Sequence, residues 1–152
     1  MKIYPDTSFL CSLYRKQVSS TLAVEYQSQL ATPLPVSTLL LLEFRQSIRF
    51  HIRLFGKDRT KGFPKAEGMA MLRAIQSDLT NSVLQMVAPD WADVHRIAEE
   101  LSSKHTEPGG HRLVDILHIA TALHLGSETF LTFDSNQKLL AEAEGMEVPI
   151  NF

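Results

Sequence analysis

The chain has 152 residues, 44% hydrophobic and 21% charged, which excludes a disordered tail and suits one compact domain over residues 1–152. Its net charge of −2 argues neither for nor against a nucleic-acid partner. The single cysteine, Cys11, excludes an internal disulfide and a zinc cluster built on thiolates, and reads as a small buried hydrophobe.

In chain order, Lys2 to Asp6 reads as a short strand, with Pro5 tolerable at its end. Ser19 to about Leu30 has helical periodicity, and Pro33 to Ser37 leads through a loop into a second strand. Ser37 or Thr38 caps a long helix from Leu39 to about Leu54. After a Lys-, Arg- and Gly-rich loop, helix resumes from Lys65 to Leu79, and Val83 to Val87 suits a third strand. Asp90 caps a helix over Trp91 to Ser103, with Trp91 in the core, and His105 to His111 reads as a loop around Pro108-Gly109-Gly110. Leu113 to Leu125 is an apolar helix stopped by Gly126. A strand at Thr129 to Thr132, a helix at Gln137 to Ala143 and a last strand at Val148 to Ile150 complete the chain. Strands alternating with helices predict an α/β fold with a parallel sheet covered on both faces. No secretory leader is read in the first residues, and the longest pure apolar run, Leu39 to Leu42, is far too short for a bilayer. A cytoplasmic protein without membrane contact is expected.

Four acids follow, or lie one turn beyond, apolar runs: Asp6, Glu43, Asp115 and Asp134. In parallel sheets the functional crevice lies at the carboxyl ends of the strands, the rim where Asp6 and Asp134 fall. Glu43 and Asp115 lie near helix N-termini that face the same rim. Singly, each acid has an ordinary explanation: a turn for Asp6, a solvated helix face for Glu43, the helix dipole for Asp115, a helix cap for Asp134. Together they predict a basin of carboxylates, costly to bury unless a cation meets them.

These segments carry a resemblance. Ile3-Tyr4-Pro5-Asp6-Thr7-Ser8, Ser37 through Glu43-Phe44, Leu113-Val114-Asp115 through Leu123, and Phe130-Leu131-Thr132-Phe133-Asp134 resemble, in order and spacing, the PIN-domain ribonucleases. The likeness is nearest to the VapC-like toxins of toxin–antitoxin pairs. It implies a three-layer α/β/α sandwich with a central parallel sheet, and an acidic pocket that binds Mg²⁺ or Mn²⁺ and cleaves single-stranded or looped RNA. Carried over by position, Asp6, Glu43 and Asp115 are core metal ligands and catalytic acids, and Asp134 is the fourth. Ser8 and Thr132 match hydroxyls lining the pocket. For a toxin the resemblance further implies a homodimer and an antitoxin whose tail crosses the acidic pocket, docked on apolar residues of the second and third helical segments.

Elementary electrostatics agrees with an acidic metal site. Two carboxylates about 4 Å apart repel by about 4 kcal/mol at an effective dielectric near 20. Oxygen ligands without a thiol or imidazole pair favour Mg²⁺ or Mn²⁺ over Zn²⁺. The expected chemistry is in-line attack on phosphorus by a metal-activated water.

Charge is unevenly distributed. Arg45 to Arg73 holds eight basic and two acidic residues, a local +6, which leaves seven basic and fifteen acidic residues, −8, elsewhere. Arg45, Arg49 and Arg53 recur every fourth residue on one helical stripe, with Lys57 at its exit, and suit contacts to RNA phosphates. The ordinary alternative is a solvated helix face. His111 and Arg112 stand before Asp115, within reach of substrate; Asn136 reads as a cap or a pocket-edge residue, and His118 as a packed histidine.

Other readings fit the residues less well. A haloacid-dehalogenase-type phosphatase needs a second Asp two residues after the first, where Ser8 stands. A receiver-like module needs an acceptor Asp ending the third strand and a Lys near the fifth, and neither is present in that arrangement. A silent interaction module and a housekeeping RNA-processing nuclease remain the alternatives to a toxin.

Overall fold

The computed structural model describes residues 2–152. Along the chain come β1 (Ile3–Pro5), α1 (Thr7–Tyr14), α2 (Ser20–Ser28), β2 (Leu34–Val36), α3 (Thr38–Lys57) and α4 (Lys65–Thr80). Then follow β3 (Leu84–Met86), α5 (Trp91–Gly109), α6 (Leu113–His124), β4 (Thr129–Leu131) and α7 (Ser135–Ala143). The class is α/β, and every strand pair is parallel, as the alternation of elements predicts. The described chain forms two compact units, residues 2–9 with 87–152, and residues 10–86. No helix among the described residues is long and apolar enough to cross a membrane.

In the first unit β1 pairs with β4, Tyr4 opposite Phe130 and Pro5 opposite Leu131. Tyr4, Phe130 and Leu131 are fully buried with Ile116 and Ile119 of α6 and Val94 of α5. Three-residue strands form here because every residue of β4 is buried, so packing supplies what pairing alone lacks. Asp90 caps α5 as expected, accepting from Ala92 N and Asp93 N. The helix runs six residues beyond the predicted end. Pro108 stands in its last turn, and the chain turns only at Gly110, whose φ of 68° is the left-handed conformation that ends helices. The strand predicted at Val148 to Ile150 does not form; one bridge, Thr129 to Glu147, stands just before it, and Pro149 has no N–H to extend the ladder.

In the second unit β2 pairs with β3. Ser37 caps α3, its side chain accepting from Leu40 N at 3.2 Å. Leu40, Leu41, Phe44 and Ile48 form the buried stripe of that helix. Gly68 of α4 lets Ile52 of α3 lie against its backbone. The turn residue Gly62, φ 63°, brings the loop onto the His51 carbonyl. Tyr14, at the end of the unpredicted helix α1, donates to Asp78 at 2.6 Å and meets Phe44 edge-on.

Candidate active site

Asp6 is the residue at which β1 ends and α1 begins. Its N–H donates to Leu131 O at 3.0 Å, extending the parallel pairing one step and setting Asp6 beside Thr132. The carboxylate is 3% exposed. Its Oδ1 accepts from Ser8 Oγ at 2.6 Å and from Phe9 N at 3.1 Å, so it also caps α1. Its Oδ2 accepts from Thr132 Oγ1 at 2.6 Å. Burial nevertheless holds its pKa above the ordinary carboxylate value; the two hydroxyls, His118 and the Phe9 amide pull the other way without prevailing.

Ser8 and Thr132 do more than touch the acid. Their hydroxyls lie 3.2 Å apart, Ser8 Oγ accepts from Phe133 N at 2.9 Å, and Thr132 Oγ1 accepts from Asp134 N at 3.0 Å. The segment after β4 is thus hung on the carboxylate at the end of β1. His118 is buried on α6 near the Tyr4 ring, a packed histidine.

Asp134 caps α7, its Oδ1 accepting from Asn136 N at 2.8 Å and Gln137 N at 2.9 Å. The Asn136 side chain reaches His111, Nδ2 to Nδ1 at 3.1 Å. Asp115 stands in the first turn of α6, where the helix dipole favours an acid. Arg112, just before the helix, grips it with both forks, Nε to Oδ2 at 2.9 Å and Nη2 to Oδ1 at 3.4 Å. Gln137 Nε2 donates to the Asp115 backbone carbonyl at 3.3 Å.

The first unit therefore gathers Asp6, Asp134 and Asp115 through a chain of bonds: Thr132 joins the first two, and Gln137 joins the last two. In the second unit Glu43 lies half-buried in the second turn of α3, with Arg45, also half-buried, just beyond it. Arg49, Arg53 and Lys57 continue at four-residue steps, all exposed. Gln137 was not singled out by sequence. Its signal was a polar residue on the stripe of α7 that also buries Leu140 and Ala141.

Among the described residues no three Asp, Glu, His or Cys side chains come together closely enough to hold a metal ion. A Mg²⁺-like cation does not require three. It commonly meets protein through one or two carboxylates and keeps several waters. The donors beside Asp6 are hard oxygens, from carboxylate and hydroxyl, and the buried Gln137 Oε1 accepts no bond from the protein. That set fits a hard hydrated dication.

The PIN domain family model matches residues 3–143, across both units. A comparison with curated proteins finds no match. Among solved structures, VapC20 of Mycobacterium tuberculosis, described as a toxin cleaving the sarcin–ricin loop, superposes with a TM-score of 0.65 at 20% identity, covering 96% of this chain and 97% of that one. FitAcB of Neisseria gonorrhoeae superposes at 0.59 with 15% identity, covering 92% and 93%. PAE2754 of Pyrobaculum aerophilum superposes at 0.60 with 15% identity, covering 97% and 89%. These likenesses carry the fold, and the family match carries membership: the chain belongs to the PIN domain family.

Proposed function

We propose that this chain is a divalent-metal-dependent endoribonuclease and the toxin of a toxin–antitoxin pair, its two units working as one nuclease domain. The observation that carries the reading is Asp6: a carboxylate held by two hydroxyls at the end of a core strand, too buried to be comfortable as an anion. A surface cap does not need such burial, and a nearby cation would relieve its cost.

Bound Mg²⁺ or Mn²⁺ would supply a lowered water pKa and a counter-charge for the phosphate. The chain's own residues set the stage. Asp6 and Asp115 would hold the cation, with Asp134 beside them; Ser8 and Thr132 fix the Asp6 carboxylate so that it needs no reorganisation. Arg112 keeps Asp115 ion-paired until a better cation or a phosphate draws it away. On the family likeness, Glu43 is a further acid on which cleavage depends. Arg45, Arg49, Arg53 and Lys57 would carry an RNA backbone by charge.

The toxin reading draws on the likeness to VapC20, described as a toxin. Exposed Leu42 and Phe50 on α3, and Met69 on α4, suit an antitoxin helix. A homodimer and a cytoplasmic location complete the proposal. The test is cleavage of a looped RNA by the purified chain with Mg²⁺ or Mn²⁺, with chelator and Asp115→Asn as controls. Cleavage that survives both controls refutes the reading.

A further inference from the structure

Gln137 is 2% exposed and shares the buried stripe of α7 with Leu140 and Ala141. An apolar side chain is the ordinary occupant of such a position. Here the backbone N–H donates to Asp134 Oδ1 and the side-chain Nε2 donates to the Asp115 carbonyl, so one residue ties the cap of α7 to the first turn of α6. Its Oε1 is buried and takes no hydrogen bond from the protein. Turning the amide over offers no cure, because Oε1 would then face the Asp115 carbonyl, acceptor against acceptor. A buried acceptor left unmet carries a desolvation penalty that Met or Leu at this position would avoid.

We propose that Gln137 is a positioning residue for the cation site, and that its Oε1 accepts a hydrogen bond from a water in the hydration shell of a divalent cation held by the neighbouring carboxylates. The inference rests on the nuclease reading above and adds to it a residue outside the acidic set. Mg²⁺ and Mn²⁺ are hard, oxygen-seeking cations, and Mg²⁺ dehydrates reluctantly. Waters in such a shell point their protons outward and need acceptors. Groups one shell beyond the metal commonly decide affinity by orienting what lies inside. Gln137 has both halves of that role. Its amide NH₂ fixes the turn that carries Asp115, and its oxygen, bonded to the same carbon, stands beside that turn with its accepting capacity unspent.

The test is the Mn²⁺ dissociation constant of the full chain without RNA, read from the electron paramagnetic resonance of free Mn²⁺. Gln137→Met keeps the volume and removes both amide groups; Gln137→Leu is a second variant should the first fold poorly. Affinity is expected to fall roughly tenfold to a hundredfold. The metal-free melting temperature should hold or rise, because the unmet acceptor is gone. A residue that only fills the core would not move Mn²⁺ affinity. Dissociation constants within twofold of the unsubstituted chain overturn the role of Gln137 and leave the nuclease reading standing. Failure of the unsubstituted chain to bind millimolar Mn²⁺ overturns both.

Discussion

Asp6→Asn separates a structural acid from a functional one. Asn keeps the shape, and its Oδ1 can accept from Ser8 Oγ and Phe9 N as the carboxylate does. Its Nδ2 would face Thr132 Oγ1, which now donates to the carboxylate; that hydroxyl can turn its proton toward Ser8 Oγ, 3.2 Å away. The network rewires without an orphan. What is lost is charge assistance in three hydrogen bonds, about 1 kcal/mol each. What is gained is relief from burying an anion, an effective penalty of several kcal/mol. Burial already outweighs the bonds in setting the Asp6 pKa, so the balance favours Asn. The metal-free variant should be more stable by about 1–2 kcal/mol near neutral pH, a melting-temperature rise of roughly 2–8 °C for a chain of this size. Thermal unfolding of both proteins, with and without Mn²⁺, reads the result, and RNA cleavage should be abolished. A variant more than about 1 kcal/mol less stable, yet still stabilised fully by Mn²⁺, would show that Asp6 is an ordinary cap and refute the reasoning.

Four further outcomes follow from particular contacts. Because the folded-state pKa of Asp6 is raised, its contribution to stability is present below the unfolded-state value and is lost as pH rises through the folded-state one; the Mn²⁺-induced gain in melting temperature should therefore grow over that window, with proton release measurable by calorimetry in buffers of different ionisation enthalpy. Arg112→Gln removes the cation that competes for Asp115, an exposed pair worth up to about 1 kcal/mol, so Mn²⁺ affinity should rise by up to roughly fivefold; unchanged affinity would mean that Asp115 does not hold the metal. Arg49→Ala and Arg53→Ala should each weaken RNA binding and reduce its salt slope by about one, and an unaltered slope would confine that face of α3 to solvation. Gly62→Ala should cost about 2–3 kcal/mol in urea unfolding, since φ is 63° and the added Cβ would run into the His51 carbonyl oxygen; a loss below about 1 kcal/mol would show that the loop onto α3 re-forms freely.

The parallel pairing, the caps at Ser37, Asp90 and Asp134, and the apolar helix after Asp115 were all legible, because each rests on local chemistry with a sequence signature. The helix α1 was not. Thr7–Tyr14 scatters Thr7, Ser8 and Ser12 among its apolar residues with no stripe to mark a period, and its start depends on a side chain that sequence reads as a turn: Asp6 accepting from Phe9 N. The end of α5 was misplaced because Pro108 and two glycines signal a loop. The helix persists six residues further and His105 in its last turns reaches Glu144, a tertiary contact invisible from spacing. At the site, the acids were legible as residue types but not their partners. That Asp115 is held by Arg112 and bridged to α7 by Gln137 follows from how α6 and α7 pack.

The three acids of the first unit have each found a different substitute for a cation. Asp134 spends Oδ1 on the N–H groups that open α7, where the helix dipole welcomes negative charge. Asp115 has the Arg112 guanidinium. Asp6 has hydroxyls and one amide but no lysine or arginine among the ion pairs of the described residues, and burial holds its pKa above the ordinary carboxylate value. Two of the three charges are thus compensated without a metal, and the third can take a proton. Metal uptake would then be an exchange. On the proposed function, a cation would displace a proton from Asp6 and compete with Arg112 for Asp115, so its apparent affinity would be set by those two competitors as well as by its own ligands.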